Sequence, residues 1–132
     1  MISIELNDIF SDALKYAVER KHEYLTLEHI FLAIVQSPDG ANILGPMGVD
    51  IEYMEKKLRK YISENVMSLE EQSDPLETLA LSETISDMMN HIRSSGSVDA
   101  RVGDMLAAIA MREESYSVYL LGMYDISRVD IL

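Results

Sequence analysis

His22-Glu23-Tyr24-Leu25-Thr26 opens like the His-Glu-x-x-His motif, but the second imidazole position is Thr26. That motif sets two zinc ligands and a general base on one helical face, so its metal set is broken here. Glu19-x-x-His22 has the spacing used in di-iron bundles. Such centres need a second copy and two further inward glutamates, and no second Glu-x-x-His occurs. Glu19, His22 and His29 are left as the grouping for a metal-binding helical domain, with His22 and His29 as the metal candidates. The structural alternative for His29 is a ring packed by its own helix with one nitrogen bonded locally. Serines are plentiful, but spacing alone assembles no serine–histidine–acid triad. No Gly-x-x-x-x-Gly-Lys-Ser/Thr phosphate loop is present. The chain therefore reads as non-catalytic, with no cofactor of its own.

Composition excludes more. The chain has 132 residues, 11 basic and 23 acidic, for a net charge of −12. An apolar fraction of 48% argues for a folded globular chain and against disorder. With no cysteine, a disulfide framework, a thiolate metal site and a cysteine nucleophile are all excluded. The negative charge argues against nucleic acid, which needs a basic face, and for basic or apolar partners. The longest purely apolar run, Ile30–Val35, is far short of the about 18 residues a membrane span needs. The acidic N-terminal stretch is unlike a secretory signal, so the cytoplasm is the expected location.

The elements that must position these side chains are helices. Leu6, Ile9, Phe10, Ala13, Leu14 and Ala17 form one helical stripe; Leu27, Ile30, Phe31, Ile34 and Val35 form the next. Leu81, Ile85, Met88, Met89 and Ile92 repeat the pattern, followed by Val102, Met105, Leu106 and Ile109. Thr26, Ser37 and Asp50 are placed to cap, as is Ser127 with Asp130 three residues on. Helices are predicted over 5–21, 26–36, 38–45, 50–65, 81–95, 101–112, 115–123 and from 127, with no strands. The methionines at 88, 89 and 105 read as core. Met47, Met54, Met67 and Met123 are candidates for an exposed, adaptable groove between the repeats.

The helices fall into two sets that match each other. At an offset of 75, Leu6 meets Leu81, Ser11 meets Ser86, Asp12 meets Asp87, Ala33 meets Ala108 and Ile34 meets Ile109. After a two-residue shift, Leu44-Gly45 meets Leu121-Gly122 and Val49 meets Ile126. The expectation is all-α: a tandem duplication of a four-helix repeat, packed with pseudo-twofold symmetry in a single domain over 1–132. Repeat one covers about 1–65 and repeat two about 81–132. Residues 66–80, with Glu70, Glu71, Asp74, Pro75 and Glu77, read as an exposed acidic linker.

The stretch Glu19-Arg20-Lys21-His22-Glu23-Tyr24-Leu25-Thr26-Leu27-Glu28-His29-Ile30-Phe31-Leu32-Ala33-Ile34 closely resembles the Clp N-terminal domain of the Clp/Hsp100 AAA+ unfoldases. The spacing of His22-Glu23-Tyr24 before Thr26-x-Glu28-His29 is most like the ClpA branch. His91-Ile92-Arg93-Ser94-Ser95-Gly96 and Tyr119-Leu120-Leu121, with Ile126-Ser127-Arg128-Val129-Asp130, resemble its second repeat. The resemblance implies a module that docks a ClpS-type adaptor and protein substrates for unfolding into the ClpP peptidase. ATP and Mg would belong to ATPase modules absent from these residues. The chain is expected to be an excised, monomeric domain of a longer protein. A ClpC- or ClpB-like domain contacting substrates or other adaptors directly is the alternative.

The resemblance also implies site residues. Glu23 and Glu28 match positions at which the ClpA domain meets its adaptor, and both are expected to be solvated on one side. Thr78 matches a further contact; its plain alternative is a helix cap. At Glu83 the family pattern carries an arginine, so the reversed charge would call for a basic residue on the adaptor.

Overall fold

The computed structural model describes residues 1–131. Leu132, expected in the last helix, lies outside them. The helices are α1 (Ile4–Glu19), α2 (Leu27–Gln36), α3 (Pro38–Leu44), α4 (Ile51–Asn65), α5 (Leu79–Ser95), α6 (Val102–Ala110), α7 (Tyr116–Gly122) and α8 (Arg128–Ile131). The caps explain the starts. Ser3 Oγ accepts from the Leu6 N–H, Ser37 Oγ from Gly40, Asp50 Oδ1 from Tyr53 and Ser115 Oγ from Val118. No helix among the described residues is long and apolar enough to cross a membrane.

The core is built around α2, whose residues from Leu27 to Val35 are all buried. A helix that is apolar nearly all round belongs in the interior. It packs against α1, α3 and α4 of its own repeat and against α6 and α7 of the other. Its counterpart α6 buries Val102, Met105, Leu106, Ala107 and Ile109. Gly40 lets α3 close tightly on the end of α2: a Cβ there would lie 1.8 Å from the Ile34 carbonyl oxygen.

The all-α duplication is visible in the backbone itself. The left-handed residues among the described positions form two pairs, Lys21 with Gly96 and Gly48 with Asp125. Those pairs are 75 and 77 residues apart, the two sequence offsets. Gly48 and Asp125 close matching turns, in which Val49 N–H donates to Leu44 and Ile126 N–H to Leu121.

The linker departs from expectation. Two short strands, β1 (Tyr24–Leu25) and β2 (Leu76–Glu77), pair in parallel, Tyr24 with Leu76 and Leu25 with Glu77. Glu23 N–H donates to Met67 O at 2.9 Å, Leu69 N–H to Lys21 O at 2.8 Å, and Thr78 N–H to Leu25 O at 3.1 Å. The acidic side chains at 70, 71, 74 and 77 are exposed as expected, but the chain beneath them is stitched to the α1–α2 connection. Two-residue strands carry no alternation to read, which is why the pairing is silent in the sequence.

The same pairing occurs on the other side. Ile2 bridges Ala100 in parallel, with Ser3 N–H donating to Ala100 O at 2.9 Å. Shifted by 75, Ala100 becomes Leu25 and Ile2 becomes Glu77. Each repeat thus lends its leading residues to the helix connection of the other.

Candidate functional site

Glu23 and Thr78 flank the β1–β2 ladder. Glu23 is held from both sides, donating to Met67 and accepting from Leu76 N–H at 2.9 Å. Thr78 is half-buried and does act as a cap, its Oγ1 accepting from Leu81 N–H at 3.3 Å. Sequence reasoning missed the apolar side chains here. Tyr24 is 41% exposed, Leu76 62% and Leu79 74%. The available signal was two leucines in a polar stretch, outside any helical stripe. The result is an exposed apolar edge beside an acid, carried on hydrogen-bonded backbone.

Glu83 lies on α5, exposed, but its charge is met within the chain. Arg112, two residues beyond the end of α6, reaches Glu83 Oε2 at 3.4 Å and Asp87 Oδ2 at 3.5 Å. Arg112 Nε donates to the fully buried Thr84 Oγ1 at 2.8 Å, which fixes its direction. The reversed charge at position 83 thus has an internal partner, where the sequence reading looked for one on the adaptor.

Glu28 corrects the sequence reading. It is buried, not solvated. Its Oε2 accepts from Ser117 Oγ at 2.9 Å and from Ser117 N–H at 3.3 Å, tying α2 to the start of α7. A carboxylate one residue off an apolar stripe turns inward when the partner helix offers donors. Glu28→Ala strands both Ser117 donors and is expected to cost about 1–3 kcal/mol. Glu23→Lys, at the edge, is expected to stay within about 0.5 kcal/mol. Urea midpoints of the two variants beside wild type check the contrast, and equal midpoints would refute it.

The histidines form a buried pair. His22 Nδ1 and His29 Nε2 are 2.9 Å apart. His29 Nδ1 accepts from Thr26 N–H at 3.0 Å and lies 2.8 Å from Thr26 Oγ1. An amide can only donate, so His29 Nδ1 is unprotonated and the neutral ring carries its proton on Nε2, which then donates to His22. Tyr16 packs against both rings, and the Arg20 guanidinium sits 3.6 Å above the Tyr16 ring centroid. Burial first, then the charges of His22 and Arg20, push the His29 pKa down to about 4. Burial and Arg20 lower that of His22.

His29 thus has the packed, locally bonded role, with more partners than one helix supplies. The metal grouping is not assembled: among the described residues no three His, Cys, Asp or Glu side chains converge as ligands. Glu19 instead lies 4.0 Å from Lys15 Nζ. Of the methionines, Met54 is fully buried, whereas Met67 and Met123 are 66% and 49% exposed.

Comparison with known proteins gives a consistent picture. The family model described as the Clp repeat (R) N-terminal domain matches residues 1–124. A ClpA homolog protein from Fuscovulum blasticum is 33% identical over 131 residues, which is 97% of this chain and 16% of that protein. The Hsp104 N-terminal domain from Candida albicans superposes with a TM-score of 0.83 at 10% identity, covering 98% of this chain and 85% of that one. A ClpV N-domain solved in complex with a VipB peptide gives 0.78 at 18% identity, over 98% and 81% of the two chains. The N-domain of ClpV from Vibrio cholerae gives 0.73 at 19%, over 99% and 87%.

Proposed function

The chain belongs to the Clp repeat N-terminal domain family, and from that premise we propose that it docks a ClpS-type adaptor and protein substrates for a ClpA-type unfoldase. The observation that carries this reading is the β1–β2 edge. Tyr24, Leu76 and Leu79 offer apolar area, Glu23 supplies charge at its rim, and the paired backbone keeps the arrangement in place. Apolar contacts supply affinity at such a surface, and the rim acid sets encounter rate and orientation. That a ClpV N-domain is solved with a VipB peptide adds support, since the fold there holds a piece of another protein.

The domain's work is binding, without catalysis of its own. ATP and Mg belong to ATPase modules elsewhere in the parent protein, and ClpP receives what those modules unfold. The domain acts as a monomer and in the cytoplasm. Glu28 contributes by fixing α7 against α2, so the docking acid is Glu23, with Thr78 at the other end of the ladder and Glu83 at the margin.

Calorimetric titration of the chain with ClpS from the same organism tests the reading. Saturable 1:1 binding is expected, weakened about ten-fold or more by Glu23→Lys combined with Leu79→Asp. Binding that ignores both substitutions moves the interface elsewhere. No binding turns the function toward direct substrate contact, as in a ClpC- or ClpB-like domain.

A further inference from the structure

Cationic side chains are scarce and unevenly spread. Four of the 11, Lys56, Lys57, Arg59 and Lys60, fall within five residues of α4 in a chain of net charge −12. The same helix carries Tyr53, Lys57 and Tyr61 at i, i+4 and i+8, beside its buried stripe of Met54, Leu58 and Ile62. From the other repeat, α7 brings Tyr116 and Tyr119 against this stripe. The Tyr61 and Tyr116 rings stack at 4.1 Å and 5°, and Tyr116 and Tyr119 follow at 5.6 Å and 28°. Lys57 Nζ lies 5.5 Å from the Tyr53 ring centroid. Lys57, Tyr116, Tyr119, Leu120 and Met123 line an open groove of about 400 Å³.

Folding alone does not account for this ladder. Tyr119 is 63% exposed and Met123 49%, so both leave apolar area in water. A contiguous aromatic surface with a polar rim marks an interaction site. Stacked rings are ordered before a ligand arrives, which lowers the entropy cost of binding. Thioether and aromatic faces accept differently shaped apolar side chains. The charged side chain lining the groove is Lys57, opposite in sign to the whole chain. Arg59 is paired with Glu55 at 2.6 Å, and both line a separate depression together with Lys56, which leaves Lys57 as the charge on offer in this groove.

We propose that the groove between α4 and α7 is a second docking site, for an extended peptide segment carrying an aromatic or large aliphatic side chain next to a carboxylate. The apolar side chain lies against Tyr116, Tyr119 and Met123, and the carboxylate meets Lys57. Because α4 and α7 come from different repeats, the site exists only in the assembled fold. It shares no residue with the Glu23 edge and does not depend on the adaptor reading.

The test is fluorescence polarisation of the folded 132-residue chain with two labelled octapeptides. One has Phe-Leu flanked by Asp and Glu; the other has the flanks replaced by Lys and Arg. Saturable binding of the acidic peptide is expected, weakened about ten-fold by Tyr119→Ala and by Lys57→Glu and unchanged by Glu23→Lys. Tyr119 and Lys57 lie outside the core, and circular dichroism confirms that both variants fold. The basic peptide is expected to bind at least about ten-fold more weakly. Equal or tighter binding of the basic peptide, indifference to both variants, or no binding overturns the proposal. So does a concentration-dependent dimer that Tyr119→Ala abolishes, since the groove would then belong to a second copy of the chain.

Discussion

Acidification from pH 6.5 to pH 4 is expected to remove on the order of 3 kcal/mol of folding stability through His29 alone. In the folded chain its pKa is depressed from 6.5 to about 4. Between those values the unfolded chain binds a proton that the folded chain excludes. The stabilisation is complete above pH 6.5 and is lost progressively as pH falls toward the folded pKa. The geometry gives the cause. His29 Nδ1 is filled by the Thr26 amide and Nε2 faces His22, so a second proton on His29 faces a donor. His22 adds to the loss in the same direction, since its pKa is lowered too. General charge works the other way: a chain at −12 relieves self-repulsion as it is acidified. Urea unfolding at pH 7, 6, 5 and 4.5, for wild type and His29→Gln, separates the two effects. Wild type should lose stability with falling pH while His29→Gln stays flat or gains. A wild type that loses no more stability than His29→Gln between pH 7 and pH 4.5 would sink the assignment.

Phe31→Ala is expected to cost about 3–5 kcal/mol, a large share of the about 5–15 kcal/mol that folds a typical domain. Phe31 is fully buried and heads the large core side chains. It sits at the middle of α2, the helix that touches both repeats, so the void left by its ring has walls from several elements. Those walls cannot all collapse inward without moving α2, and with it Glu28 and His29. Thermal unfolding should show a midpoint lower by roughly 10–20 °C. Phe10→Ala, at a half-buried position on α1, is the comparison and should cost clearly less. Equal losses at the two positions would mean that α2 is not the keystone of the core.

What the sequence makes legible follows from the range of the interactions. Helix positions come from stripes three and four residues apart, and caps from single side chains beside the first turn, so nearly every helix is readable. The duplication is readable because core positions repeat at a fixed offset. The β1–β2 ladder is not, because two residues have no period and its partners lie 52 residues apart. Glu28 is misread for the same reason. Its position in α2 is compatible with solvent, and only Ser117, 89 residues away, turns it inward. The His22–His29 pair crosses the α1–α2 connection, so the link between two separate histidines is a tertiary fact. At the Glu23 edge the acid was legible through resemblance, while Tyr24, Leu76 and Leu79 emerge only once β2 is seen to lie beside β1. Arg112 beside Glu83 depends on where α6 ends relative to α5.

The reciprocal strand exchange has a consequence for how such a fold could arise. Ile2 completes the connection at Ala100, and Leu76-Glu77 completes the one at Tyr24-Leu25. A lone repeat would hold both an arm with nothing to pair and a connection with nothing paired to it. Two identical copies would satisfy each other in a closed twofold dimer. Joining the copies in one gene replaces that bimolecular encounter with an intramolecular one, at an effective concentration set by the short joining segment. The two halves were then free to diverge. Position 28 carries a buried carboxylate in one half, while its counterpart 75 residues on is Gly103. Two halves joined in one chain do not have to be the same, and the present asymmetry uses that freedom.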